Sequence, residues 1–277
     1  MTPVTDAAPL LEKIRTLRKT VPDYITNSLW LPERFRAAAA SGQLSVLHNG
    51  DDCLALLYDQ GGYDLLLFFG SSGAVLPAPP RACLAELFSR EDSDSSGQAT
   101  EIMLSRSGFS LRTVLHEYSH SFSREDSPER YFSKCDAILR SLGLPALAPV
   151  MDPEPVFSLW NSLLSPFDLS PVSPEIFQSG QVYGISDPQG ELCAAVMYEY
   201  SGSACISRHV AVSPGLQGRG IGKAIRYHGA GCAMEAGCRR IRTWISDDNF
   251  PSIASGKAVF DQHLRVMKQF VYQPEKE

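Results

Sequence analysis

A glycine-rich segment between a strand-like run and a helix-like run constrains this chain more than any other feature. The segment reads Gln217-Gly218-Arg219-Gly220-Ile221-Gly222-Lys223, and it joins the apolar run 204–212 to the helical pattern 221–236. Glycines at alternate positions carry no Cβ, so a ligand can approach the backbone N–H groups closely. Those N–H groups, the start of a helix and the cations Arg219 and Lys223 together predict an anion-binding loop.

Two other phosphate-binding patterns fit this loop less well. A dinucleotide-binding fold places G-x-G-x-x-G at the end of its strand, whereas here the spacing is G-x-G-x-G and five residues separate Val212 from Gly218. The acidic pair Asp247-Asp248 follows the next strand, so the dinucleotide alternative stays open. A P-loop requires Ser or Thr after its lysine, and Ala224 stands there instead.

The order of predicted elements indicates an α/β fold with a mixed sheet. Helices are expected at 6–20, 32–41, 80–90, 154–164, 221–236 and 249–259. Strands are expected at 44–48, 53–58, 63–69, 111–121, 180–186, 192–200, 204–212, 240–245 and 265–272. The polar stretch 91–97 predicts a surface loop. This order predicts helices on the faces of a central mixed sheet.

Prolines mark the expected boundary between two domains. Seven of the 19 prolines lie between residues 145 and 175. The length of 277 residues also suits two domains. We therefore expect residues 1–142 to form one domain and residues 143–277 to form the other.

Composition bounds the partners and the compartment. The formal net charge of -6 argues against nucleic acid, because binding to its phosphates requires a basic surface. Seven cysteines, an odd number without a C-x-x-C pair, favour reduced buried thiols and a cytoplasmic protein. No run has the character of a signal peptide or a membrane span, so no membrane partner is expected.

The run from Val210 to Lys223 resembles the acetyl-CoA signature of the GNAT family of N-acetyltransferases, Q/R-x-x-G-x-G/A, with its leading strand. The resemblance covers residues 157–272. It implies that acetyl-CoA is the cosubstrate, and that the strand 240–245 separates from the strand 204–212 to admit it. The loop N–H groups would hold the pyrophosphate, and the backbone of Val210 and Val212 would hold the pantetheine amides. The implied cofactor-binding residues are Val210, Val212, Gln217, Gly218, Arg219, Gly220, Ile221, Gly222, Lys223, Asn249 and Ser252.

A second motif of the family is matched only in part. Asn249 and Ser252 resemble its N-x-x-A/S pattern, and Asn249 also has the character of a helix N-cap. Seven residues after that asparagine, the family often has a tyrosine that protonates the leaving thiolate, whereas this chain has Gly256. The general acid is therefore unassigned, with three candidates that also have structural interpretations: Tyr198, Tyr200 and Tyr227.

The resemblance implies an acyltransferase that moves acetyl to a primary amine by direct attack. The amine must lose a proton, and Glu199 and His209 are the candidate bases because they lie near or on the central strand. The acceptor is expected to be a small-molecule or peptide amine, and the N-terminal half is expected to line its cleft or to form a homodimer surface. Because the tyrosine is missing, a non-catalytic acetyl-CoA sensor is the alternative.

The segment His116-Glu117-Tyr118-Ser119-His120 matches H-E-x-x-H, the zinc-peptidase motif. On a helix the two histidines would share one face and Glu117 could activate a zinc-bound water, with Asp126 as a third ligand. On a strand, residues 116, 118 and 120 share a face and Glu117 points away. The flanking pattern favours a strand, so no metal is expected and residues 1 to about 140 resemble a degenerate GNAT-like half. A zinc peptidase remains a second alternative.

Overall fold

The computed structural model describes residues 1–89, 95–164, 177 and 180–274, and it forms two compact units. Unit 1 consists of Met1–Leu115 with Arg265–Glu277, and unit 2 consists of His116–Leu264. The helices are α1 (Ala8–Thr20), α2 (Pro32–Ala40), α3 (Ser95–Arg106), α4 (Pro128–Ser141), α5 (Pro153–Leu164), α6 (Ile221–Glu235) and α7 (Phe250–Gly256). None of the described helices is long and apolar enough to cross a bilayer.

The described residues form thirteen strands, which alternate with these helices. In unit 1 they are β1 (Thr2–Pro3), β2 (Tyr24–Thr26), β3 (Leu44–Asn49), β4 (Cys53–Asp59), β5 (Asp64–Ser71) and β6 (Cys83–Ser89). Unit 2 contains β8 (Ala148–Pro149), β9 (Gln181–Ser186), β10 (Leu192–Ser201), β11 (Ala204–Val212) and β12 (Arg240–Ser246). Two strands cross a unit boundary along the chain: β7 (Ser110–Ser121) and β13 (Gln262–Tyr272).

The sheet of unit 1 has the strand order β1-β3-β4-β5-β6-β13, with β2 paired to β5. Neighbours are antiparallel except β5 and β6, which are parallel. Side chains alternate along β4, so Leu54 and Leu56 pack in one core with α1 and α2, whereas Ala55 and Leu57 pack in a second core with α3. The sheet is therefore covered on both faces.

The sheet of unit 2 has the order β7-β12-β11-β10-β9-β8. The central pair β11 and β12 is parallel, while β10 is antiparallel to both β9 and β11. Along β10, Ala194 and Val196 face a core that includes α4 and α6, and Ala195 and Met197 face a core that includes α5. This mixed sheet between helices confirms the predicted fold class.

The units divide the chain at 115/116 and 264/265 rather than at 142/143. The reason is the helix α4, which lies in the predicted first domain but buries Tyr131, Cys135 and Leu139 in the same core as α6. Part of the proline-rich junction, residues 165–176, lies outside the described residues.

Most predicted elements are present, with ends shifted by at most three residues. The predicted helix 80–90 is wrong, because this segment is the strand β6, which pairs with β5 on one edge and β13 on the other. The predicted loop 91–97 is also corrected, since α3 begins at Ser95; residues 91–94 lie outside the described residues. All seven cysteines are unpaired and buried, as expected.

Candidate functional site

The two central strands of unit 2 separate after four residue pairs. β11 pairs with β12 from Ala204 opposite Arg240 to Ser207 opposite Thr243, although β11 continues to Val212. β10 pairs with β11 along its other edge. Within the described residues, the β12-facing edge of β11 beyond Ser207 therefore has no strand partner. This confirms the predicted separation, and it leaves backbone groups of β11 able to bind an extended ligand.

A β-bulge lies in the separated part of β11. The pairing with β10 shifts so that His209 and Val210 lie opposite the single residue Val196. His209 adopts a φ of 50°, which is uncommon for a residue with a side chain. Its ring centroid lies 5.2 Å from that of Trp160, and burial lowers the pKa of His209 to about 4. The imidazole is therefore neutral at physiological pH.

The glycine-rich loop leads from β11 into α6 through a 3₁₀ turn at Pro214–Leu216. Gly218 and Gly220 have φ values of 75° and 93°, in the left-handed region that glycine adopts most easily. Gly220 is the N-cap of α6, and no side chain caps this helix. The N–H groups of its first turn consequently remain available to an anion.

The polar side chains of the loop differ in their contacts. Gln217 does not extend outward, because its Nε2 donates a 2.8 Å hydrogen bond to the carbonyl oxygen of Val212 at the end of β11. Arg219 and Lys223 are exposed, and the Nζ of Lys223 lies 5.8 Å from the ring centroid of Tyr227. Gln217 thus shapes the loop, while the two cations add positive charge beside the helix start.

The helix α7 packs beside α6 and contains the second motif. Asn249 caps α7, as expected, because its Oδ1 accepts a 3.1 Å hydrogen bond from the backbone N–H of Ser252. A Cβ on Gly222 would lie 3.3 Å from the Cβ of Ser255, so the glycine permits the close approach of the two helices. The structure therefore brings Asn249, Ser252 and the glycine loop together.

A buried arginine, which the sequence analysis missed, joins these elements. Arg226 is 2% exposed, and its guanidinium donates to three hydroxyl groups: those of Ser207 at 3.1 Å, Thr243 at 3.2 Å and Ser252 at 3.1 Å. Its Nε has no hydrogen-bond partner in the described part of the chain. Burial lowers the pKa of Arg226 to about 10. The only sequence signal was an arginine among the small and apolar residues of α6.

A small cavity lies at the position of the missing tyrosine. It has a volume of about 30 Å³, and Gly256 and the ring of Tyr118 both line it. A Cβ on Gly256 would lie 3.2 Å from the Cδ1 of Ile245. A tyrosine at position 256 would therefore require its neighbours to move. Tyr118, on β7, is the one tyrosine among the described residues that line this cavity.

The three tyrosines proposed as acids each have structural contacts. Tyr198 is fully buried and donates to the carbonyl oxygen of Ile225 at 2.9 Å, and burial raises the pKa of Tyr198 well above its usual value. The hydroxyl of Tyr200 lies 3.4 Å from the Oε1 of Gln181. The ring of Tyr227 contacts the ammonium groups of Lys134 and Lys223. None of these contacts is with the separated strands.

The two candidate bases lie in different parts of the sheet. Glu199 is opposite Ile206, in the stretch where β11 is paired on both edges, and its Oε2 lies 2.7 Å from the Nε of Arg208. His209 is in the bulge, where β11 has separated from β12. The role of each residue in catalysis remains a prediction, but only His209 belongs to the open part of the strand.

The H-E-x-x-H segment forms part of the strand β7, so it lacks the helical geometry that the zinc-peptidase alternative requires. His116 Nδ1 lies 3.0 Å from His263 Nε2, and His120 Nε2 lies 3.0 Å from the hydroxyl of Tyr131. Glu117 is buried and forms a 3.0 Å ion pair with Arg242. The two-residue period of the strand turns Glu117 away from the histidines, and no cluster of three potential metal ligands occurs among the described residues.

A known protein family matches the region that contains the glycine loop. Residues 168–255 match the model of the acetyltransferase (GNAT) family. The C-terminal part of this chain is a GNAT domain. The match includes the glycine loop, Asn249 and Ser252, and it gives no support to a dinucleotide-binding fold. It ends one residue before Gly256. No sequence among the curated proteins is a significant match.

Solved structures show the same fold over most of the chain. A GCN5-related N-acetyltransferase from Sphaerobacter thermophilus is 10% identical, with a TM-score of 0.55 over 98% of this chain and 93% of that one. A tandem GNAT protein from the clavulanic acid biosynthesis pathway is 13% identical, with a TM-score of 0.51 over 97% of this chain and 94% of that one. A GCN5-related N-acetyltransferase from Kribbella flavida is 15% identical, with a TM-score of 0.51 over 90% of this chain and 98% of that one. At these identities the likeness is one of fold.

Proposed function

We propose that this protein is an N-acetyltransferase that moves the acetyl group of acetyl-CoA to a primary amine of a small molecule or peptide. The observation that carries the proposal is the open edge of β11 beside the uncapped start of α6. Both features belong to the GNAT domain, and together they suit a ligand with an anionic end and an extended amide-containing arm.

The residues of the site suggest how acetyl-CoA is held. The first-turn N–H groups of α6, with Arg219 and Lys223 beside them, bind the pyrophosphate. The arm then runs along β11 past Val212 and Val210, whose backbone groups bond to its amides. This direction carries the thioester towards Ser207 and Thr243, where the two strands meet.

The reaction is direct acyl transfer. The nitrogen of a neutral amine attacks the carbonyl carbon of the thioester, the C–N bond forms, and the C–S bond breaks to release the coenzyme A thiolate. The proton lost by the amine passes to a base or to water. We propose His209 and Glu199 as the candidate bases, with His209 favoured because it lies in the separated part of β11.

Release of free thiol from acetyl-CoA in the presence of a panel of amines tests this function. We expect sustained turnover with at least one acceptor and no turnover without an amine. The absence of a tyrosine at Gly256 favours the competing function, a non-catalytic acetyl-CoA sensor. Tight binding of acetyl-CoA with no thiol release on any acceptor would support the sensor and reject the transferase.

The compartment is part of the proposal. We propose a cytoplasmic protein, because acetyl-CoA is an intracellular metabolite and all seven cysteines are unpaired and buried. Treatment of the native protein with a thiol reagent should modify few cysteines, and mass spectrometry would count them.

A further inference from the structure

Arg226 is a buried cation for which the described residues supply no buried anion. Its three hydrogen-bond partners are all neutral hydroxyls, and its Nε has no partner. A guanidinium is seldom buried without a carboxylate, because the loss of hydration costs several kcal/mol. The ring centroid of Phe260 lies 5.5 Å from the Cζ of Arg226, a cation–π contact that supplies no negative charge. Such an arrangement is expected at a site where negative charge arrives from a ligand.

The contacts of Arg226 place it at the fork of the separated strands. Ser207 and Thr243 are the last paired residues of β11 and β12, and Ser252 belongs to α7. Arg226 itself lies on α6, whose first turn forms the glycine loop. The guanidinium therefore touches three elements that frame the opening, and it extends from the fourth.

The fork is the end of the site opposite the pyrophosphate loop. In the proposed function the cofactor arm runs from the loop after Val212 back along β11, so its sulfur end approaches Ser207 and Thr243. The loop has its own exposed cations, Arg219 and Lys223. Arg226 is thus not needed for the pyrophosphate, and it lies where the C–S bond must break.

We propose that Arg226 stabilises the coenzyme A thiolate as it leaves, in place of proton donation by the tyrosine that Gly256 replaces. This inference rests on the proposed function. The sulfur departs with the electron pair of the C–S bond and remains an anion beside the guanidinium, which keeps its own proton. The thiolate takes up a proton from water only after release. A charge fixed in advance in a site without water stabilises such an anion strongly.

The ionisation of bound coenzyme A tests this inference without measuring turnover. Dissociation constants of coenzyme A, acetyl-CoA and desulfo-coenzyme A are measured by calorimetry from about pH 6 to about pH 9, which includes the usual pKa of a thiol. In the wild type we expect coenzyme A to bind at least about tenfold more tightly as the thiolate than as the thiol, because of the adjacent charge. Acetyl-CoA and desulfo-coenzyme A, which have no ionisable thiol, should not show this rise. Ultraviolet absorbance of the thiolate follows the same ionisation directly.

Arg226→Met is the main variant, because it removes the charge and retains an apolar chain of similar length. Replacing a buried charge with an apolar residue is often neutral or stabilising, so the fold should persist. We expect acetyl-CoA to bind within about threefold of wild type, the preference for the thiolate to disappear, and the turnover number to fall about 100-fold. Arg226→Lys, which keeps the charge, should retain part of the preference for the thiolate and part of the turnover number. The matched control Arg219→Met removes an exposed cation of the loop and should weaken all three ligands alike, with the thiolate preference intact.

Four results would overturn this inference. One is a wild-type protein that binds coenzyme A with no preference for the thiolate; the proposed function would survive it. A second is equal loss of all three ligands in Arg226→Met, which would make the residue structural. A third is a preference that survives in Arg226→Met but is lost in Tyr118→Phe, which would assign the role to the phenol. A fourth is a wild type that prefers succinyl-CoA to acetyl-CoA only while Arg226 is present, since the charge would then serve an acyl carboxylate. Absence of any binding of coenzyme A would instead reject the proposed function itself.

Discussion

Both units contain a parallel pair of strands that separates, but among the residues that the structure describes a further strand occupies the opening of unit 1 and none occupies that of unit 2. In unit 2 the β12-facing edge of β11 is unpaired beyond Ser207. In unit 1 β5 and β6 pair only from Asp64 opposite Cys83 to Leu66 opposite Ala85, although both strands continue. The two openings are therefore built alike, and they differ in whether a described segment of the chain lies within them.

The opening of unit 1 is filled by its own chain. β4 takes one edge of β5 along its length, so β2 must lie on the edge that β6 has left, with Thr26 opposite Phe69. Next to β2, the side-chain amide of Asn27 donates to the carbonyl oxygen of Leu66 at 2.8 Å and accepts from the N–H of Phe68 at 2.8 Å. A strand and a side-chain amide thus make the backbone contacts that an added ligand would make.

The connection between the strands differs as well. In unit 2 the glycine loop and the 15-residue helix α6 link β11 to β12. In unit 1 residues 72–82 link β5 to β6 without a helix, so no helix start offers N–H groups to an anion. Unit 1 therefore lacks both the open strand edge and the helix start on which the proposed cofactor site of unit 2 depends. The resemblance of the N-terminal half to a degenerate GNAT domain stays a prediction.

A negative charge in the loop of unit 2 should have the largest effect on binding. Gly220→Asp places a carboxylate where the pyrophosphate is expected, and we predict an about 100-fold loss of acetyl-CoA affinity from charge repulsion. Gly220→Asn imposes the same backbone strain without the charge and should lose much less affinity, because Asn and Asp tolerate positive φ similarly. Titration calorimetry measures both.

Gly237→Asp is the matched control for this prediction. It lies just beyond the other end of α6, its φ is 73°, and a Cβ there meets nothing within 4 Å. It should leave acetyl-CoA affinity unchanged. Equal losses in Gly220→Asp and Gly237→Asp would mean that backbone strain, not charge at the loop, governs binding.

Asn27→Ala should sharpen the contrast from the side of unit 1. Asn27 is buried, and its loss leaves two backbone groups of β5 without partners, so we predict a fall of about 2–4 kcal/mol in the free energy of unfolding. Chemical denaturation measures the fall, and exposed Asn49→Ala is the control. Acetyl-CoA should bind with a stoichiometry of one per chain in wild type and variant. A second bound cofactor in Asn27→Ala would show that Asn27 blocks a competent site.

Prediction from the sequence was most complete where the residues involved lie close together along the chain. The alternate glycines, the strand before them and the helix after them lie within one short stretch, so the strand, the loop and the helix could be predicted together. The helix α4 has equally local sequence signals: Ser127 caps it, Pro128 begins it, and Tyr131, Cys135 and Leu139 recur at helical spacing on its buried face.

Contacts between distant residues could not be predicted in the same way. β6 contains Leu, Ala and Glu, which favour a helix, and it is a strand because β5 and β13 pair with its two edges. β2 has only three residues, so it contains no periodic pattern from which a strand in the opening of unit 1 could be predicted. The role proposed for Arg226 depends on its hydrogen bonds to hydroxyl groups on three other elements. The sequence therefore predicted the glycine loop and its flanking elements more completely than the contacts between distant elements of the site.

The acid stability of the protein should report the burial of His209. Burial lowers the pKa of His209 and of His228 to about 4 from the usual 6.5, so between these values the unfolded state binds more protons than the folded state. The free energy of unfolding should therefore fall as the pH drops through this window, by about 1 kcal/mol per histidine between pH 7.5 and pH 5.5. His209→Asn, which suits the positive φ, should remove about half of this slope. An unchanged slope would mean that His209 titrates normally.

The same pKa of His209 predicts that, if His209 is the base, activity persists down to the acid limit of folding.

Glu199→Gln should have the smallest effect, and it separates the two candidate bases. Glu199 lies on β10, opposite the part of β11 that is paired on both edges, and it forms a partly exposed ion pair with Arg208. This ion pair is expected to stabilise the fold by about 1 kcal/mol or less. We predict a change in turnover number of less than about threefold, because a group outside the opening cannot take the proton of an amine at the thioester. His209→Asn, measured beside it, should lower turnover by about 100-fold while acetyl-CoA affinity changes little. If Glu199→Gln shows the larger loss, the acceptor approaches from the paired end of β11, and the open edge would then hold the cofactor without marking where the amine attacks.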